Sequence, residues 1–135
     1  MPEPAIEKIL KSFHTIAVVG LSSDPSRPSH TVAAYLSSHG YEIIPINPAL
    51  VPTGWNGKKA YATLTDAAKE HPIEVVDIFR KSEFVLPIVQ EAIPMGAKAI
   101  WMQEGVINEE AAALARQNGL LAVMGKCMKK EHEKL

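Results

Sequence analysis

The sequence is poor in the residues that build disulfides and thiolate metal centres. Its 135 residues include one cysteine, Cys127, which excludes an internal disulfide and a multi-cysteine metal site. The charges nearly cancel, because 14 basic residues stand against 15 acidic ones and leave a formal charge of −1. This balance gives no overall attraction to nucleic acid or to an anionic membrane, so we expect an anionic ligand to be met by local cations.

Long apolar runs are absent as well. No stretch approaches the ~20 residues that cross a membrane. The N-terminal segment MPEPAIEKILKSF carries acidic residues without an apolar centre, unlike a signal peptide. Hydrophobic residues nevertheless make up 47% of the chain at a mean hydropathy of +0.01, as in ordinary globular proteins. We therefore expect one cytoplasmic domain over residues 1–135, long enough to bury its own core.

Short β-branched runs and helical patterns alternate along the chain. The runs predict buried strands at 15–20, 41–47, 73–80, 97–103 and 120–124. Apolar spacing and capping residues predict helices at 31–39, 65–69, 83–93 and 108–117, with a short surface helix at the C-terminus. Residues 59–64 predict a sixth strand at the sheet edge, and a five-stranded sheet is the alternative. The pattern predicts a three-layer, Rossmann-like α/β fold: a parallel sheet of five to six strands with helices on both faces.

The carboxyl ends of these strands are the first places to search, because parallel sheets bind ligands there. The most informative segment is the first loop, residues 20–29, which joins the first strand to the first helix. Free N–H groups at a helix start favour an anion. Arg27 can form a bidentate pair with phosphate, and Pro28 fits the opening helical turn. Further hydroxyl donors are Ser22, Ser23 and Ser29.

Two familiar nucleotide signatures are missing from this region. After Gly20 there is no glycine until Gly40, so the first loop is not the G-x-G-x-x-G of dinucleotide binders, and no Walker A sequence occurs. The second strand ends in Asn47, where NAD-binding proteins carry an acidic residue for the ribose hydroxyls. The lack of the G-x-G-x-x-G loop and the presence of Asn47 both argue against a nicotinamide dehydrogenase. The other strand-end segments are Asn47–Pro48, Phe79–Lys81 and Met102–Gly105.

Candidates for catalysis are few, and we predict neither a catalytic constellation nor a metal site. The five histidines are scattered, with His30 in the first turn of the helix after the first loop. Asp77 lies inside a predicted strand and either points into the cleft or completes a polar edge. Cys127, with three lysines close by in the sequence, is a candidate for a mixed disulfide with a thiol ligand. The alternative for Cys127 is a small, unreactive residue after the last strand.

Five motifs together resemble a known family. In chain order they read VGLSSDPSRPSH, IIPINP, VVDIFRKSE, AIWMQEGVINEEAA and GKCMKKEH. Their order and spacing are similar to those of small stand-alone CoA-binding proteins, which resemble the CoA-binding N-terminal domain of the succinyl-CoA synthetase alpha subunit. The resemblance covers residues 9–135 and implies a Rossmann-like domain that holds coenzyme A across the strand ends.

The resemblance also implies which residues contact coenzyme A. The phosphate-contacting loop of the synthetase falls on Ser22 and Ser23, and the stand-alone proteins' form of that loop is matched by Arg27, Pro28 and Ser29. The remaining implied contacts are Gly20, Asn47, Pro48, Lys58 or its neighbour Lys59, Phe79, Arg80 and Gln103.

The resemblance limits function as well. The synthetase's phosphorylated histidine lies in a second domain that these 135 residues do not include. The leading hypothesis is therefore a non-catalytic module that binds coenzyme A or acyl-CoA and neither nucleic acid nor membranes. The alternatives are an NAD(P)-dependent oxidoreductase and a CoA-ligase subunit completed by an acyl-CoA-metabolising partner protein.

Overall fold

The structure of the protein is a computed structural model that describes residues 4–135. Five strands carry the fold: β1 (Thr15–Val19), β2 (Glu42–Ile46), β3 (Val75–Ile78), β4 (Ala99–Met102) and β5 (Leu121–Val123). The helices are α1 (Pro4–Ser12), α2 (Pro28–Ser38), α3 (Leu64–Ala68), α4 (Val85–Ala92), α5 (Glu109–Gln117) and α6 (Met128–Glu133). Single 3₁₀ turns span Pro48–Leu50, Ser82–Phe84 and Ile93–Met95.

The strands form one parallel sheet in the order β2-β1-β3-β4-β5. This arrangement confirms the Rossmann-like prediction and the five-stranded alternative. The sixth strand predicted at residues 59–64 is wrong, because this segment makes only an isolated bridge between Tyr61 and Ile46. Its extended stretch is short because the Thr63 side chain already caps α3.

Pro45 is tolerated inside β2 because β2 is an edge strand. Its carbonyl accepts a hydrogen bond from the Tyr61 amide at 2.9 Å, on the side of β2 away from β1. A residue's N and O point to the same side of a strand, so the missing donor of Pro45 falls on the open edge. The ladder between β1 and β2 is therefore intact from Thr15 to Val19.

The sheet separates two apolar layers. Alternate strand residues such as Val76 and Ile100 pack under α3, α4 and α5. Their neighbours, such as Val75 and Trp101, pack under α1, α2 and α6. Helix α1 was not predicted, although its buried residues follow the helical spacing: Ile6, Ile9 and Leu10. Helices on both faces make the sheet buried throughout, as the strand composition requires.

The helix starts differ in detail from the sequence prediction. Helix α2 begins at Pro28, three residues before the predicted start, because proline fits the first helical position. The cap of α3 is Thr63, two residues before the predicted start of this helix, and its hydroxyl accepts from the Asp66 amide at 3.1 Å. Asn108 caps α5 by accepting a hydrogen bond from the Ala111 amide.

Candidate functional site

A cleft of about 600 Å³ opens at the carboxyl ends of β1, β3 and β4. Parallel sheets with helices on both faces bind ligands at this edge. Apolar side chains of Val32 and Val106 and the half-buried Cys127 form part of its wall. Eight of the twelve residues predicted for the site line it: Gly20, Ser22, Arg27, Pro28, Ser29, Phe79, Arg80 and Gln103.

The first loop is shaped by close backbone contacts and internal hydrogen bonds. Gly20 has φ +87°, and a Cβ there would lie 2.8 Å from the Phe79 carbonyl oxygen, so only glycine fits without strain. The Ser22 amide donates to the buried Ser29 hydroxyl at 3.0 Å, and the Ser22 hydroxyl accepts from the Asp24 amide at 3.1 Å. These bonds hold the loop against the start of α2.

The N-terminus of α2 lies at this cleft without a side-chain cap. Arg27 occupies the capping position, and its side chain makes no capping bond, while Pro28 follows at the first helical position. Pro28 has no N–H, and the His30 and Thr31 amides bond the Arg27 carbonyl, so this helix start offers an anion the Ser29 amide and the positive end of the helix dipole. This end of the eleven-residue helix is therefore arranged to receive an anion.

The cations at the cleft form no ion pairs among the described residues. Within residues 4–135, Arg27, Arg80 and Lys81 form no ion pair, and all three line the cleft. The Arg80 guanidinium instead lies over the Phe84 ring, 5.1 Å from its centre. Glu104, an acid that lines the cleft, forms an ion pair with Lys130 at 3.1 Å. The cleft therefore carries an excess of positive charge.

A second, smaller cavity adjoins the cleft on the β2 side. It measures about 250 Å³ and shares Gly20, Phe79 and Arg80 with the cleft, while Asn47 and Pro48 form its far side. Both ends of the Asn47 amide are engaged: its Nδ2 donates to the Leu21 carbonyl at 2.9 Å, and its Oδ1 accepts from the Ala49 amide at 3.0 Å. Asn47 therefore ties the end of β2 to the first loop.

Two residues predicted for the site lie elsewhere. Lys58 pairs with Glu42 at 3.4 Å and lines a separate cavity beside the amino-terminal half of β2. It is removed from the strand ends because the segment after β2 folds back through a bridge between Trp55 and Lys58. Ser23 is exposed and outside both cavities at the strand ends.

Below the cleft, Gln103 connects a buried acid to the start of α6. Its Nε2 donates to Asp77 Oδ1 at 2.5 Å, and its Oε1 accepts from the Met128 amide at 3.3 Å. Asp77 is wholly buried, neither in the cleft nor at a polar edge. Burial raises the pKa of Asp77 to about 7, although the Gln103 bond opposes the shift. Sequence reasoning missed this pair, because a strand buried on both faces gives no sign of which way one residue points.

Three further observations concern metal binding, His30 and the membrane. In the part of the chain that the structure describes, no three histidine, cysteine, aspartate or glutamate side chains gather into a metal site. His30, in the first turn of α2, packs edge-on against Trp55 with ring centres 5.6 Å apart. Across residues 4–135, no helix has the length and apolar character needed to span a membrane.

The fold and the cleft define a nucleotide-binding domain of the Rossmann type, and comparison with known proteins gives its family. Residues 14–133 match the family model described as a CoA binding domain. The chain therefore belongs to the CoA-binding domain family.

The relatives extend this result. The protein is 38% identical over 127 residues to YneT of Bacillus subtilis (strain 168), across 94% of this chain and 91% of that one. A solved structure from Pyrococcus horikoshii OT3 is 38% identical, with a TM-score of 0.91 over 100% of this chain and 92% of that chain. An acetyl-coenzyme A synthetase 1 from Ca. Korarchaeum cryptofilum, solved with phosphate and ADP, is 25% identical with a TM-score of 0.72. That similarity covers 87% of this chain but 26% of the synthetase.

Proposed function

We propose that this protein binds coenzyme A or acyl-CoA in the cleft at the strand ends, as a cytoplasmic, non-catalytic module. The observation that carries the proposal is the uncapped start of α2 beside three cations without ion-pair partners, Arg27, Arg80 and Lys81. Coenzyme A carries a diphosphate and a 3′-phosphate, so it needs several local cations. Membership of the CoA-binding domain family supports the same ligand.

The two adjoining cavities suit the two halves of such a ligand. We assign the nucleoside to the smaller cavity at Asn47 and Pro48, and the diphosphate to the start of α2. The pantetheine arm then extends through the larger cleft, past Gln103 and toward Cys127. The ligand then runs across the carboxyl ends of the strands in the order β2-β1-β3-β4-β5. Each strand end is displaced from the one before it by the distance between neighbouring strands.

Binding without catalysis is supported by what the cleft contains. Of the histidines within residues 4–135, none lines the cleft. Its carboxylate, Glu104, is engaged with Lys130, so no free acid–base pair faces the ligand. A second candidate, a subunit of a CoA ligase completed by a partner protein, is supported by the similarity to about a quarter of the acetyl-coenzyme A synthetase.

Thermal unfolding with and without coenzyme A tests the proposal. A ligand at 100 times its Kd stabilises the native state by about 2.7 kcal/mol, which raises Tm on the order of 8 °C for a domain of this size. An unchanged Tm at millimolar coenzyme A, in a sample with native circular dichroism, would contradict binding. NADPH that displaces coenzyme A at equal concentration would favour the oxidoreductase. Copurification of an acyl-CoA-metabolising protein would favour the ligase subunit.

A further inference from the structure

Asp77 is a buried carboxyl group without a cationic partner. It lies in β3 between Val18 of β1 and Trp101 of β4, and its side chain is fully removed from solvent. One oxygen, Oδ1, accepts the bond from Gln103, and the other, Oδ2, has no hydrogen-bond partner among residues 4–135. A buried carboxylate with an unsatisfied oxygen is costly, and the neutral acid removes much of that cost.

The elements packed over this face provide no compensating charge. Apolar side chains cover Asp77's side of the sheet, among them Ile9 of α1, Val32 of α2 and Met128 of α6. The same elements and their flanking residues carry these titratable or charged groups: Glu7, Lys8, Lys11, His14, Arg27, His30, Tyr35, His39, Tyr41, Glu104, Lys126, Cys127, Lys129, Lys130, Glu131, His132, Glu133 and Lys134. None of them is hydrogen-bonded to Asp77. Burial is the dominant influence on its ionisation.

One side-chain amide separates Asp77 from the cleft. Gln103 lines the cleft with 3% of its surface exposed, and the same amide bonds both Asp77 and the backbone of Met128. Trp101 also holds the segment before α6 in place, since its Nε1 donates to the Lys126 carbonyl at 2.8 Å, next to Cys127. The pantetheine arm assigned past Gln103 is uncharged, so the charge that acts on Asp77 is that of the diphosphate at the start of α2, whose Val32 lines the cleft and packs on the same face of the sheet as Asp77. The field of the diphosphate reaches Asp77 through this region of low dielectric.

From this geometry we infer that Asp77 takes up a proton when an anionic ligand fills the cleft, and that it acts through Gln103 as a positioning residue for ligand binding. The inference rests on the proposed function, because it takes coenzyme A as the anion. The neutral carboxyl group tolerates a nearby phosphate, whereas the carboxylate repels it. The sign is thus fixed: affinity for coenzyme A is highest below pH 7 and falls as the pH rises and Asp77 ionises in the free protein.

Calorimetric titration with coenzyme A at pH 7 tests this inference. Comparing two buffers of different ionisation enthalpy gives the number of protons taken up on binding. The 3′-phosphate of the ligand itself titrates near pH 6, so the informative quantity is the difference between wild type and Asp77→Asn. We expect wild type to take up a fraction of a proton more than the variant. Its Kd should rise severalfold more between pH 6.5 and 8, and at most about tenfold per pH unit.

The controls separate this inference from the proposed function. Asp66→Asn removes an exposed carboxylate far from the cleft and should keep the wild-type proton uptake. Equal uptake in wild type and Asp77→Asn, with binding intact in both, overturns the inference and leaves the proposed function standing. Absence of any binding by wild type contradicts both.

If Asp77→Asn fails to fold, carboxyl NMR on the wild type gives the same answer. The Asp77 carboxyl carbon should titrate at higher pH in the complex with coenzyme A than in the free protein. An identical or lower titration midpoint in the complex overturns the inference.

Discussion

Replacing Arg27 by alanine tests the phosphate site with little risk to the fold. The Arg27 side chain is exposed and makes no hydrogen bond or ion pair within residues 4–135. Its structural contribution is the backbone carbonyl, which accepts from the amides of His30 and Thr31 and is kept in the variant. We therefore expect the free energy of unfolding to change by less than about 0.5 kcal/mol.

The loss of affinity follows from the bonds that Arg27 can make. A hydrogen bond to a charged group contributes about 1.5–3 kcal/mol, and exposure of Arg27 favours the lower end of that range. The Kd for coenzyme A should therefore rise about tenfold, which corresponds to about 1.4 kcal/mol. If Arg27 binds the 3′-phosphate, dephospho-CoA should bind the variant and wild type equally. Equal losses for the two ligands would instead assign Arg27 to the diphosphate.

Titration calorimetry with both ligands measures these values directly. Lys98→Ala is the matched control. Lys98 is exposed and precedes β4, so it lies at the amino-terminal ends of the strands, and the cleft lies at their carboxyl ends. It removes one positive charge without touching the cleft, so its Kd should match that of wild type. Unchanged affinity of Arg27→Ala for both ligands would refute the reasoning that an unpaired cation at the start of α2 binds phosphate.

Five other experiments probe the site and its support. Gly20→Ala should lower stability by about 1–3 kcal/mol in urea unfolding, because its Cβ meets the Phe79 carbonyl at positive φ, and wild-type stability would contradict the close approach. Asn47→Asp should lower Tm, since a carboxylate replaces the donor to a carbonyl of the first loop, whereas an unchanged Tm would argue against this tie. Coenzyme A should slow alkylation of Cys127, measured by intact mass, and equal rates would exclude a ligand along that wall. Incubation with CoA disulfide tests the mixed disulfide: a CoA-sized adduct that is lost on reduction supports it, and its absence excludes it. The contribution of Asp77 to stability should fall as the pH rises from about 4 to about 7, because the folded Asp77 keeps its proton while the unfolded one loses it. Urea unfolding of wild type and Asp77→Asn over this range isolates that contribution, worth up to about 4 kcal/mol, and parallel slopes of the two proteins would refute it.

The sheet and its order could be predicted because local signals carry them. Each strand is a short β-branched run, each crossover contains a helix, and parallel strands with such crossovers leave few topologies. The start of α2 was only partly predictable: Pro28 prefers the first helical position, but the apolar spacing placed the helix three residues later, and Arg27 before it is not a typical cap. The strand and helix patterns therefore predict that the ligand cleft lies at the carboxyl ends of the strands.

The path of the segment after β2 was not predictable in the same way. Residues 48–60 contain three positions with positive φ, at Gly54, Asn56 and Gly57, and such turns reverse the chain in ways that sequence alone does not fix. The reversal carries Lys58 to Glu42 instead of to the cleft. The motif spacing that assigned Lys58 to the ligand runs through this irregular loop, and its contact with coenzyme A stays a prediction.

The near-neutral charge of the chain conceals how the charges are distributed. Most cations in ion pairs lie away from the cleft, as in the pair of Lys59 with Glu70. At the cleft the acid is paired and the cations are not: Lys130 neutralises Glu104. Arg27, Arg80 and Lys81 stay unpaired there. A local positive field of this kind is screened by salt over about 10 Å at 0.1 M ionic strength. Affinity for a polyanion such as coenzyme A should therefore weaken with added salt more than the net charge of −1 would suggest, because the ligand responds to the cleft and not to the whole surface.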